Sequence, residues 1–333
     1  MKAFASLLSS ASLVLAASRT SPPPGCLHVT KSGSGSYSTV QSAINSLSTT
    51  SRTAQCVFID QGTYTEQVYI PSRSAALTIY GYSADTTSYA NNKATITYNL
   101  SAASAGNNDA SATLRVHAAN VKVYNVNVVN SCCERADGKG SQALALSAQA
   151  SSGYYGCQFY GFQDTVLANE GQQYYSQCLI TGATDFIFGQ RARAWFEGCD
   201  IRVRNGGYYI TANGRDSSSN PSYYLFNNCD VAAGAGESVS SGSYYLGRPW
   251  RKYARVVFQN TALSPVINSA GWSKWNGDND VGNIYYAEYA NTGSGASGSR
   301  VSWATTLRSA VSESTVLGSD YVSGAWYDAS YPN

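Results

Sequence analysis

Apolar and polar residues along this chain alternate in short bursts, with few convincing helical stripes. A run with an aromatic or aliphatic lead, then Asn, Cys or Gly, then a β-branched finish keeps returning. Examples are VKVYNVNVV from Val121, YYGCQF from Tyr154, YYSQCLI from Tyr174, AWFEGCDIRV from Ala194, YYLFNNCDV from Tyr223 and ARVVFQNTAL from Ala254. Bounded by Gly, Asn and Ser, such runs read as strands. Aligned on Val126, Cys157, Cys178, Cys199, Cys229 and Thr261, they step by 31, 21, 21, 30 and 32 residues. A 21-residue step leaves little room for the crossover helix of a βα unit. A sandwich of hairpins would tolerate the steps but gives no reason for like residues to return in phase. Stacked coils give that reason, because like positions lie on one another.

The pattern therefore predicts an all-β chain, a single-stranded right-handed parallel β-helix forming one domain over residues 19–333. The long steps are coils with about ten extra loop residues. QSAINSLS (41–48) is expected to be a short amphipathic helix capping the open first rung, as solenoid ends require. NTGSGASGS (291–299) reads as a loop, with the segment after it folding back over the solenoid.

The same arithmetic brings chemistry together. Asp164 and Asp185 each follow a ladder cysteine by seven residues and lie 21 apart, an offset Gln142 and Gln163 share. If 21 residues make one turn, the two carboxylates sit roughly 5 Å apart on neighbouring rungs. Carboxylates that close cannot both ionise freely, so one keeps a proton while the other stays charged. The glutamine amides beside them could donate to an oxyanion. The bland alternative is a pair of loop aspartates capping coil turns. Serine-hydrolase chemistry lacks support: there is no GxSxG, and His28 and His117 have no evident partners and read as packing or surface residues.

Composition adds the setting. Charged residues are 13% against 43% hydrophobic, and 26 tyrosines are present, so the surface is covered by hydroxyls and amides as in extracellular all-β proteins. Lys2 followed by AFASLLSSASLVLAAS reads as a signal peptide over residues 1–18, too short and serine-rich to span a membrane. A secreted chain follows, and no membrane partner. Eight cysteines then imply disulfides, with Cys26–Cys56, Cys199–Cys229 and Cys132 or Cys133 with Cys157 as candidate pairs. Metal binding is the poorer reading, for want of CxxC spacing. The net charge of +2 is compatible with an acidic polymer, and the basic residues form no stripe of the kind nucleic-acid binders show. Asn99-Leu100-Ser101 is a candidate glycan site. The DND at 278–280 invites a calcium reading, but isolated loop acids are usually solvated.

Six segments also resemble the pectin methylesterases (pectinesterases, carbohydrate esterase family 8). They are GTYTE at Gly62–Glu66, QALAL at Gln142–Leu146, GFQDTV at Gly161–Val166, DFIFG at Asp185–Gly189, LGRPW at Leu246–Trp250, and YYAEYANTGSGA with RVSW at Tyr285–Trp303. They fall in family order across nearly the whole mature chain. The resemblance implies a right-handed parallel β-helix that hydrolyses methyl esters of homogalacturonan with release of methanol, using water and no cofactor or metal, as an expected monomer. Position by position, Asp185 resembles the nucleophile, Asp164 the general acid, and Gln142 and Gln163 the oxyanion donors. Arg248 would hold Asp185 ionised, Trp250 would offer a flat face to a sugar, and Phe186 and Tyr245 would help shape the groove. QALAL and Val166 depart from commoner residues without losing a functional group. Arg191 and Arg193 stand where small apolar residues are common, and could add positive charge near the groove or merely decorate a loop. The rivals are a β-helix glycosidase or lyase, whose signatures are absent, and a dead wall-binding solenoid, which would lack one of these five polar residues.

Overall fold

In the computed structural model, residues 17–33, 35–133, 142–277 and 280–332 are described. The expected signal peptide lies almost wholly outside them, as do Asp278 and Asn279 of the DND triplet. Among the described residues, strands pair in parallel into sheets of eleven, eight and seven strands that wrap around one core. Seven successive rungs each contribute one strand to all three sheets, as a parallel β-helix requires, and the remaining strands extend the two longer sheets at the ends. The anticipated phase is obeyed residue for residue. Asn127 pairs with Gln158, Gln158 with Leu179, Leu179 with Asp200, Asp200 with Asp230 and Asp230 with Ala262, which sets Val126, Cys157, Cys178, Cys199, Cys229 and Thr261 in one column.

The corner before that column explains the recurring polar residue. Asn125, Gly156, Gln177, Gly198, Asn228 and Asn260 all adopt left-handed backbone, with φ of 51–57°. Glycine adopts this conformation freely and asparagine at low cost, whereas most residues resist it. Inside the coil, Tyr154, Tyr175, Phe196, Phe226 and Phe258 stack with centroids 4.8, 4.5, 4.4 and 4.3 Å apart. These separations match the rung spacing, so one aromatic per rung forms a continuous column.

The cap is a helix over Val40–Ser46, starting one residue and ending two residues before the expected bounds, and burying Val40, Ala43 and Ile44. Its first amides are taken by a carboxylate: Val40 and Gln41 N–H donate to Glu66 at 2.8 Å each. Glu66 of GTYTE is therefore structural. At the other end Glu288 of YYAEY accepts both Nε and Nη2 of Arg300, at 2.8 and 3.0 Å, tying the last rungs to RVSW. The segment beyond does fold back. It crosses the eleven-stranded sheet, where Val316, Leu317, Trp326 and Tyr331 cover an outer cluster of Tyr124, Tyr155, Tyr174 and Trp195.

Two disulfide expectations are corrected. Cys26–Cys56 is formed, but Cys132 pairs with Cys133, and Cys157, Cys178, Cys199 and Cys229 are buried free thiols. Cys157 stacks on Val126, so six residues of extended chain, roughly 20 Å, separate its rung position from Cys132. Each column thiol instead donates to a carbonyl on the preceding rung at 3.4–3.5 Å, as Cys199 does to Tyr175 and Cys229 to Phe196. Asp280 pairs with Lys252 at 2.7 Å. Asn99 is exposed.

Candidate active site

The seven-stranded sheet carries the site at the corner leading into its central strands. Gln142 bridges Gln163 and Gln163 bridges Thr184, so Asp164 and Asp185 follow as rung neighbours. Asp164 N–H donates to Thr184 O at 3.1 Å, fixing that step. Register slips bracket the pair on both sides. Gln142 to Gln163 is an offset of 21 whereas Leu146 to Val166 is 20, and the pairing shifts again between Thr184 and Ile187. Such irregularities re-aim side chains next to functional sites. Both aspartates take left-handed backbone, with φ of 64° and 50°. Aspartate adopts it less readily than glycine, and an unusual backbone held by its surroundings is common where chemistry is done.

The environments of the two carboxylates differ. Asp185 receives Nε and Nη2 of Arg248 at 3.0 and 2.6 Å, a bidentate pair with side chains 8% and 14% exposed. Arg248 is held flat between the rings of Tyr209 and Trp275, each 4.1 Å from its guanidinium carbon, and its Nη1 donates to Asn276. Asp164 receives one neutral donor, Asn108 Nδ2 at 3.2 Å. Burial pushes Asp164 well above the ordinary carboxyl range, the charge on Asp185 pushes it further, and Asn108 and Arg248 only partly oppose this. Burial also raises Asp185, but there the hydrogen bonds and charge of Arg248 pull back. A single proton shared by the pair therefore resides on Asp164. Gln142 and Gln163 line the same edge one rung apart, both half-buried and without a side-chain hydrogen bond among the described residues.

Two clefts adjoin the residues that hold the pair, one at Asn108 and one at Tyr209 and Asn276. One, about 380 Å³, is lined by Asn108, Asp109, His117, Leu167, Phe188 and Trp250. The other, about 400 Å³, is lined by Tyr209, Tyr245, Lys274, Asn276 and Trp303. Trp250 lines the first of these clefts and Tyr245 the second. Phe186 lines neither: it is fully buried in the core, and its ring fills the space left by Gly182, where a Cβ would come within 2.3 Å of it. Alternation explains the correction, since the residue after a groove-facing aspartate points inward. Arg191 sits exposed beside Glu170, whereas Arg193 lies against Gly318 under the folded-back tail, away from the groove. A larger cleft, about 670 Å³, lies elsewhere, on the eight-stranded sheet. Its arginines are neutralised there, Arg202 by Asp200 and Asp230 and Arg204 by Glu237. Among the described residues no group of three His, Cys, Asp or Glu could hold a metal. Asn108, Tyr209 and Trp275 escaped the sequence reading because they reach the pair from other rungs and loops, at no repeating interval.

The fold and the groove define a class: a parallel β-helix presenting one protonatable and one guanidinium-bound carboxylate on an open face. Comparison with known proteins narrows it. The Pectinesterase family model matches residues 27–322. Pectinesterases of Aspergillus niger and Aspergillus aculeatus are each 49% identical, over 97% and 95% of both chains. The crystal structure of the Aspergillus niger pectin methylesterase superposes with a TM-score of 0.86 at 42% identity, covering 95% of this chain and all of that one, and the carrot enzyme with 0.81 at 27%, covering 94% of this chain. The chain belongs to the pectinesterase family.

Proposed function

We propose that Asp185 is the nucleophile and Asp164 the general acid and base in the hydrolysis of galacturonate methyl esters of pectin. The supporting observation is the unequal pair: rung neighbours, of which only Asp185 is bound to a guanidinium. Asp185 attacks the ester carbonyl, and charge builds on an oxygen facing the amides of Gln142 and Gln163. Asp164 delivers its proton to the departing methanolate. The acyl-enzyme anhydride is then opened by water, with Asp164, now ionised, accepting the water proton, so that free galacturonate forms and both aspartates return to their starting states. Trp250 and Tyr245 flank the reacting unit as faces for sugar rings. We read the enzyme as a secreted monomer whose amino-terminal 18 residues are removed, which sequencing of the mature amino terminus and light scattering would check.

Asp185→Ala is expected to abolish methanol release from highly methylated pectin, followed by pH-stat, while the circular dichroism stays that of the parent. Residual activity above a few per cent would remove Asp185 from the nucleophile's role. Chelator should leave the rate unchanged, and a marked loss would revive a metal role. Product analysis separates the rivals: methanol and acid at constant chain length here, new reducing or unsaturated ends for a glycosidase or lyase.

A further inference from the structure

Beside the groove lies a cluster of charged side chains that the reaction above does not use. Its hub is Asp109. Oδ2 accepts Arg115 Nη2 at 2.6 Å, and Oδ1 accepts Ser147 Oγ at 2.7 Å and contacts His117 Nε2 at 2.9 Å. The order excludes a serine triad, because the serine hydroxyl donates to the carboxylate and not to the imidazole. The ring of Tyr69 closes the cluster, edge-on to His117 and beneath Arg115. Burial alone would raise Asp109, yet these donors hold it below its ordinary value, so its charge is committed. The residue before it, Asn108, is the one that donates to Asp164. Both belong to a helix of four residues, Asn108–Ser111, with Asn107 as its cap. A single turn has no stability of its own and keeps its place only through tethers.

We propose that Asp109, held by Arg115, His117 and Ser147, is a positioning residue that fixes this turn so that Asn108 aims the carboxyl of Asp164. Asn108 occupies Oδ2, which leaves Oδ1 as the oxygen that carries and delivers the proton. The inference rests on the reading of Asp164 as general acid. The charged groups acting on Asp164 are Asp185 and Arg248, and neither is touched by changes at the turn.

The sign of the test follows. An N–H donated to a carboxylate favours its ionised form, so removing Asn108 raises the pKa of Asp164, and the high-pH limb of kcat, where the acid loses its proton, moves up. Asn108→Ala is expected to move that limb up by about half to one pH unit and to lower kcat about three- to tenfold, with KM changed less than twofold. Asp109→Asn and His117→Ala should shift the limb in the same direction by less, and His117→Gln, which retains a donor, should return it part of the way. Asp164→Asn separates the two readings. If that variant is inactive while Asn108→Ala and His117→Ala leave the limb in place, the tether is overturned and the acid assignment stands. If Asp164→Asn keeps its activity, the acid assignment itself has failed. Should Asp109→Asn not fold, the Asn108 and His117 variants decide alone.

Discussion

Two corners of the coil share one backbone conformation and put it to different ends. The corner before the cysteine column is left-handed on rung after rung, filled by Asn, Gly or Gln, and followed by an inward valine, thiol or threonine. The corner on the seven-stranded sheet is left-handed at Asp164 and Asp185, and is bracketed by register slips. At the first, Asn and Gly, which suit the conformation, fill five of six rungs, with Gln177 the exception, and the register runs true. At the second, residues that suit it less well occupy only two rungs, and their neighbours hold them there: Arg248 on one, Asn108 on the other. The regular corners thus set the stack, and the one irregular corner is the one that carries the pair proposed for the chemistry.

That contrast can be broken most severely at Arg248. Arg248→Lys keeps a charge but loses the bidentate fork and the packing between Tyr209 and Trp275. Methanol release is expected to fall about a hundredfold, and full activity would show that Asp185 needs only a nearby cation. Next comes stability. Because Asp164 holds its proton above the ordinary carboxyl range, its ionisation opposes folding as pH rises through that raised value, and below the ordinary range it costs nothing. Asp164→Asn should therefore melt about 2–4 °C higher than the parent at neutral pH. The gain should vanish in acid, and an equal gain at both pH values would point to packing instead of charge. The smallest effect belongs to the other corner. Gln177→Gly should stabilise by about 0.5–1 kcal/mol in denaturant melts by suiting the left-handed position, with activity unchanged. Lost activity there would mean that the corners are not independent.

Much of this was legible because repetition reports stacking. Equal offsets between Gln142 and Gln163 and between Asp164 and Asp185 predicted neighbours on adjacent rungs, and the strand register agrees. Shared motifs were less discriminating about role, since Glu66 and Glu288 lie in segments as recognisable as GFQDTV yet serve a helix end and an arginine clamp. Phe186 shows the same limit at one residue's distance, as adjacency to Asp185 in sequence means the opposite face in a strand.

What the chain settled by itself was periodicity: short strands, a 21-residue rung, an in-phase column and two carboxylates brought side by side, all consequences of local conformation repeated at a fixed interval. Only the tertiary structure decided which cysteines stay free, that Tyr209 and Trp275 clamp Arg248, and that a four-residue turn reaches Asp164. Those contacts join residues with no common interval, and their energies come from burial and geometry that exist only once the rungs have stacked.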